Sequence, residues 1–165
     1  MARPAVVADA EAIFAQYAQD AEVAKYMIWR PHQHISETQE FLQRCEEWWR
    51  NGTAFPWVLT LKESGRLIGM VELRLNDWRV DLGYVLERAS WGKGYMTEAV
   101  RFLVDWAVSQ SSIYRVWATC DVTNLASAHV LEKVGMQREG VLRRWIMHPN
   151  LSEEPRDCYC YALVK

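Results

Sequence analysis

The residues Trp91-Gly92-Lys93-Gly94-Tyr95-Met96-Thr97-Glu98-Ala99 hold the clearest chemical potential in this chain. They follow an apolar run from Val80 to Leu86 and lead into a helical pattern. Two glycines at a strand-to-helix junction allow a tight bend whose backbone N–H groups point outward. The start of the next helix adds partial positive charge, so such a bend suits phosphate oxygens. Taken alone, it is equally an ordinary tight loop. A second constellation narrows the choice. Asp121-Val122-Thr123-Asn124 stands where a strand ends and a helix begins, and Ser127, Lys133, Gly135 and Met136 follow Asn124 at plus three, nine, eleven and twelve. No Gly-x-x-x-x-Gly-Lys-Ser/Thr is present, which excludes the nucleoside-triphosphate phosphate loop.

Periodicity predicts the elements that hold these residues. Asp9 reads as the N-cap of a first helix running to about Gln19, and Ala21 to Ile35 as irregular. Ser36-Glu37-Thr38-Gln39 has the capping-box pattern and opens a helix to Arg50, which Asn51-Gly52 ends. Three strands follow as an antiparallel meander: Pro56 to Leu61, Leu67 to Leu75 and Arg79 to Leu86. Beyond the glycine bend come a helix from Tyr95 to Ser109, a strand from Tyr114 to Cys120, and a helix from Asn124 to Val134 that Gly135 stops. Two strands complete the chain, Gln137 to Trp145 and Arg156 to Val164, with a polar loop between them. The order predicts a single α/β domain over residues 1–165 with a mixed, mostly antiparallel sheet and helices on both faces.

Composition excludes several classes of partner. The 165 residues are half apolar, and the formal charge of −2 offers no electrostatic case for nucleic acid or an anionic membrane. Cys45 and Cys120 are isolated, while Cys158 and Cys160 alternate along one strand face, so buried free thiols are expected rather than a disulfide framework. A zinc site joining Cys158 and Cys160 to His32 and His34 has poor ligand spacing, and no metal is expected. Neither a signal peptide nor a bilayer-spanning apolar run is apparent, so the expected address is the cytoplasm. The nine tryptophans are mostly packing residues. Trp48 and Trp49 cannot share one helix face, so one of them is expected on a surface or cleft.

The two constellations together resemble the GNAT superfamily of acyl-CoA-dependent N-acetyltransferases, whose signatures are Gln/Arg-x-x-Gly-x-Gly/Ala and Asn-x-x-Ala/Ser followed by Glu-Lys-x-Gly-Phe. The resemblance covers nearly the whole chain and is closest to the ribosomal-protein N-terminal acetyltransferases. That branch shares Gly83-Tyr84, Trp91-Gly92-Lys93-Gly94-Tyr95, Thr97-Glu98-Ala99, Asn124-x-x-Ser127, Glu139-Gly140 and Asp157. Trp91 and Met96 depart from the broad signature. The segment before Arg3-Pro4 is shorter than the family's first strand, which predicts a stunted edge strand.

The resemblance implies acetyl-CoA as co-substrate, with no metal. It implies that the backbone of Trp91, Gly92, Lys93, Gly94, Tyr95 and Met96 cradles the pyrophosphate, and that Lys93 either reaches phosphate or is a solvated loop lysine. Val85 and Leu86 would run beside the pantetheine arm where the sheet splays, a backbone N–H near Leu86 would stabilise the oxyanion, and Asn124 would hold the pantetheine amide, cap its helix, or both. The family's tyrosine proton donor falls on Leu131, which cannot donate. The resemblance to the ribosomal-protein branch, where a serine one turn earlier is the proposed acid, implies that role for Ser127, whose other reading is a local hydrogen-bonder. Glu87 is the expected base, with Glu72 and Asp81 as alternatives. One acceptor wall would comprise Trp29, Pro31, His32 and the helix bearing Trp48-Trp49, and the loop from His148 to Glu154 would form the other. The implied acceptor is the α-amine of a protein or peptide, with a small amine (polyamine, amino acid or aminoglycoside) as the alternative, and the protein itself is expected to be a monomer or homodimer. A non-catalytic acyl-CoA-binding module is the rival from another class.

Overall fold

Apolar residues alternate in facing along the central strands, and that alternation builds a sheet with two covered faces. On β2 (Ala54–Thr60), Val58 packs into one core and Leu59 into the other; on β3 (Leu67–Asn76), Met70 and Val71 divide the same way. The computed structural model describes residues 1–165. Its seven strands lie in the order β1-β2-β3-β4-β5-β7-β6, where β1 is Ala2–Pro4, β4 Arg79–Leu86, β5 Arg115–Asp121, β6 Gln137–Ile146 and β7 Arg156–Val164. Every neighbouring pair is antiparallel except β4 and β5.

Helices α1 (Ala10–Ile13), α2 (Ala21–Ala24) and α3 (Ile35–Asn51) cover one face through Ile13, Val23, Leu42 and Cys45. Helices α4 (Tyr95–Ser109) and α5 (Leu125–Lys133) cover the other through Val100, Leu103, Val104, Ala128 and Leu131. The result is the single α/β domain expected from the sequence. The first strand is the three-residue edge anticipated above, paired with β2 from Ala2↔Leu59 to Pro4↔Trp57.

Local signals misplaced several boundaries near the N-terminus. The helix expected from Asp9 to Gln19 breaks after Ile13 into a wider π turn over Phe14–Ala18. Asp9 does not cap it: its buried carboxylate turns back to accept from the Val6 N–H at 3.0 Å and from Arg3. The segment read as irregular contains α2, whose cap is Asp20, accepting from the Glu22 N–H at 2.9 Å. The capping box of α3 lies two residues earlier than expected. Glu37 reaches back to the N–H groups of Gln33 and His34, so Ser36 is already helical.

Gly69 fixes how closely β3 and β4 approach. A Cβ there would stand 2.4 Å from the Val85 carbonyl oxygen and 3.1 Å from Leu86 Cα, so only glycine keeps the two strands in register at this end. At Gly83 a Cβ would meet only the Arg74 guanidinium, at 3.5 Å. Gly69→Ala should therefore destabilise the fold by about 1–3 kcal/mol, the usual cost of overpacking, and Gly83→Ala by clearly less. Urea midpoints of the two variants test this; equal midpoints would show that the close approach is not a constraint.

Candidate active site

The parallel pair β4–β5 is short. It runs only from Arg79↔Arg115 to Asp81↔Trp117. Past that point β4 stays with β3 as far as Leu86, while β5 stays with β7 as far as Asp121, and the strands part. The Glu87 N–H donates to the Ile68 carbonyl on β3 at 2.8 Å. Successive residues of a strand present their hydrogen-bonding groups to opposite sides, so the N–H of Leu86 faces away from β3 into the opening. The Leu86 carbonyl accepts the Trp91 indole N–H at 2.8 Å, which ties the glycine bend to the end of the splayed strand.

The bend has the geometry its glycines permit. Gly92 and Gly94 have φ of +72° and +82°, in the left-handed region that favours glycine. Glu98 is the first residue of α4 whose N–H closes a helical turn, at 3.0 Å from the Gly94 carbonyl. The N–H groups of Tyr95, Met96 and Thr97 thus remain unspent at the positive end of a 15-residue helix.

Across the opening, Asn124 caps α5. Its Oδ1 accepts from the Ser127 N–H at 3.2 Å, which leaves the amide hydrogens of its Nδ2 to other acceptors. A cleft of about 420 Å³ runs between these walls. Val85, Leu86, Trp91, Gly92, Gly94, Tyr95, Met96, Asn124 and Ser127 all line it, whereas Lys93 is exposed and does not. Sequence reasoning missed Tyr84, and it missed Lys25, Tyr26 and Met27 of the α2 region, which close the cleft from the opposite face. The capping signal at Asp20 would have located α2 but not its place at the cleft.

Ser127 lies in the first turn of α5, with its Oγ 2.7 Å from the Tyr84 hydroxyl. Leu131, one turn on, is wholly buried in the core. All four cysteines are buried free thiols. Burial pushes Cys45 up to about 12 and Cys120 and Cys158 up to about 11, so these thiols stay protonated at neutral pH, unlike a nucleophilic thiolate.

The carboxylates have other work. Glu87, expected as the base, is buried with both oxygens occupied: Arg66 donates to one at 2.6 Å and the Ser90 hydroxyl to the other at 2.5 Å. It anchors the turn between β4 and the glycine bend, and it does not line the cleft. Glu72 and Asp81 share the Arg74 guanidinium, at 3.1 and 2.6 Å. Asp121 is fully buried at the end of β5 and accepts from Arg156 at 2.5 Å and from the Thr123 hydroxyl at 2.6 Å. Burial alone would raise its pKa, but the Arg156 and Thr123 donors prevail and bring it down to about 2.

Beyond the cleft, the loop after β6 meets the α2 region. Asn150 Nδ2 donates to the carbonyls of Ala24 and Trp29, at 2.7 and 2.8 Å, which joins the loop from His148 to Glu154 to the segment bearing Trp29. The Trp48-Trp49 pair belongs to neither wall. Trp48 stacks edge-on to Phe41, while Trp49 packs on Phe55 and Trp57 and donates to the Pro56 carbonyl at 2.9 Å. A larger apolar groove of about 880 Å³ lies elsewhere, between the β1–β3 edge and α4, lined by Trp57, Phe102 and Trp106 among others. It contains neither the splay nor the glycine bend.

The acetyltransferase (GNAT) domain profile matches residues 1–137. The chain belongs to the GNAT acetyltransferase family. Among sequence relatives, the uncharacterized N-acetyltransferase p20 of Bacillus licheniformis is 30% identical over 156 residues, spanning 93% of this chain and 86% of p20. In fold, the chain is similar to a GNAT-family acetyltransferase from Bacillus anthracis, with a TM-score of 0.82, 28% identity, and coverage of 99% of this chain and 93% of the other. It is also similar to the ribosomal-protein-S5-alanine acetyltransferase of Vibrio fischeri, with a TM-score of 0.84, 23% identity, and coverage of 99% and 91%. As a GNAT enzyme it is an acyltransferase whose co-substrate is acetyl-CoA. No helix is long and apolar enough to cross a membrane.

Two predictions follow from the carboxylates of this GNAT enzyme. Glu87→Gln should lower the thermal midpoint yet leave the pH dependence of kcat/KM unshifted; a lost pH limb would restore Glu87 as the base. Because the pKa of Asp121 is depressed in the folded chain, its stabilising contribution is fully present above the unfolded value of about 3.9. That contribution is lost as pH falls toward about 2. Asp121→Asn should therefore flatten the stability–pH curve between these limits, as followed by denaturant midpoints, and reduce stability at neutral pH.

Proposed function

We propose that this acetyltransferase acetylates the N-terminal α-amine of a protein or peptide by direct attack on acetyl-CoA, within the branch of ribosomal-protein N-terminal acetyltransferases. The reading of the site rests on one observation: a strand-end N–H, a helix N-terminus and the Ser127 hydroxyl converge on a single cleft. The N–H groups of the glycine bend and of Tyr95 and Met96 hold the pyrophosphate. Val85 and Leu86 pair with the pantetheine arm as a neighbouring strand would, and Asn124 donates to it from the other wall. The acceptor nitrogen attacks the thioester carbon, and the Leu86 N–H stabilises the oxygen that becomes negative. Ser127 then gives its proton to the sulfur as the carbon–sulfur bond breaks. The buried, protonated thiols favour direct transfer over an acyl-cysteine intermediate.

With Glu87, Glu72 and Asp81 each paired to arginine, no carboxylate is assigned as base, and water in the cleft takes the amine proton. The peptide terminus is carried by the sequence resemblance to the ribosomal-protein branch through Gly83-Tyr84, Asn124-x-x-Ser127, Glu139-Gly140 and Asp157, while solved structures of the same fold include both a ribosomal-protein and a spermidine acetyltransferase. Free cysteines and the need for acetyl-CoA fit a cytoplasmic setting.

Thiol release from acetyl-CoA, measured with a panel of peptides and polyamines, distinguishes the acceptors. For an α-amine, kcat/KM should rise with pH through about 8, the amine's own pKa, whereas a polyamine or lysine side chain would displace that rise toward about 10. Ser127→Ala should lower kcat by about 10²-fold or more, the scale of general acid catalysis, with calorimetric affinity for acetyl-CoA retained. Retained binding with no turnover by the unaltered chain on any amine would favour the non-catalytic module instead.

A further inference from the structure

Tyr84 spans the place where the sheet opens. It stands on β4, yet its hydroxyl lies 2.7 Å from Ser127 Oγ, a contact in which either oxygen can donate, and its hydrogen has a second, longer acceptor in the Ser127 carbonyl on α5 at 3.2 Å. Its ring packs against the core beneath α4 and α5, which holds the hydroxyl in place. We propose that Tyr84 is a positioning residue for Ser127: its O–H donates to Oγ and so leaves the serine's own hydrogen free to meet the departing sulfur. This inference rests on the reading of Ser127 as the acid.

The physical need is twofold. A serine in a helix usually spends its hydroxyl hydrogen on a backbone carbonyl one turn back, here the turn holding Thr123. A donor fixed at Oγ occupies a lone pair and biases the serine hydrogen toward the cleft. An aliphatic alcohol is also a weaker acid than a thiol, so Ser127 alone is poorly suited to protonate a thiolate. A phenol O–H aimed at Oγ stabilises the negative charge that builds there as the proton leaves. Burial raises the pKa of Tyr84, so its hydrogen is present throughout the working pH range. No polar group from α5 can take this part at Leu131.

The step balances without any further reactant than water. The amine lone pair forms the carbon–nitrogen bond, and the carbonyl π pair moves onto oxygen. On collapse, the carbon–sulfur pair departs with sulfur, which receives the Ser127 proton. The amine loses its proton to water, and Ser127 regains one from water after product leaves. Tyr84 ends as it began, with its proton.

The test compares Tyr84→Phe, Ser127→Ala and the double variant by steady-state thiol release, with acetyl-CoA affinity by calorimetry and thermal midpoints as controls. Tyr84→Phe should lower kcat about tenfold while KM and Kd for acetyl-CoA change less than about twofold. In the Ser127→Ala background the same change should have almost no effect on kcat, because the two residues act as one unit. Multiplying effects would mean that Tyr84 acts independently, and would overturn the inference. A normal kcat in Tyr84→Phe beside a low one in Ser127→Ala would also overturn it, while sparing the role of Ser127. A normal kcat in Ser127→Ala would instead remove the reading on which it rests. Should Tyr84→Phe fold poorly, fluorotyrosines of graded acidity at position 84 keep the hydroxyl. Then kcat should rise with phenol acidity; a flat series would show that the hydroxyl is only structural.

Discussion

The parting of β4 from β5 after three paired residues is the constraint on which the rest of the site depends. A strand end buried without partners would leave N–H and C=O groups unsatisfied, at a cost of about 1–3 kcal/mol each. Here the unpaired side of β4 faces a cleft, where water or a pantetheine arm can satisfy it. The Leu86 carbonyl is already taken by the Trp91 indole, so what remains on offer at that residue is a donor, the group an oxyanion needs. The same separation admits the first turn of α5, with Asn124 and Ser127, to the opposite wall. One gap in one parallel pair thus creates a donor, a channel and room for the Ser127 hydroxyl.

Holding such a gap open requires rigid margins, and two buried carboxylates supply them. Glu87 clamps the turn after β4 through Arg66 and Ser90, just before the glycine bend. Asp121 clamps the end of β5 through Arg156 and Thr123, just before Asn124. Each stands at the last residue or the next residue beyond one of the two diverging strands. Removing Glu87 would leave the buried Ser90 hydroxyl without its acceptor, and removing Asp121 would release Arg156 and Thr123 from the end of β5. The charges near this site therefore serve mainly to hold backbone in place, and in the mechanism proposed above the chemistry falls to backbone donors and hydroxyl groups.

This division explains which expectations from the sequence held. The glycine bend, the asparagine cap and the strand before them are local features, set by left-handed φ at Gly92 and Gly94 and by the side-chain cap at Asn124. Glu87 is engaged for a non-local reason. A glutamate next to the oxyanion position looks like a base until Arg66, on the facing hairpin, is brought to 2.6 Å. Trp48 and Trp49 lie away from the cleft for a similar reason, because Phe41 of α3 receives the first and Phe55 and Trp57 of β2 the second. Asp9 has every mark of a helix cap but lies within reach of Arg3, which draws its carboxylate the other way.

Period, turn residues and caps by themselves determined the order of the elements from α3 onward, the mixed sheet and the place of the glycine bend, because these depend on φ/ψ preference and on neighbours within a turn or two. The tertiary fold alone decided which strand pair would separate, which carboxylates would be consumed by arginine, and that Tyr84 would meet Ser127 from 43 positions away. Those outcomes depend on contacts between distant segments, where position in the chain gives no measure of distance in space.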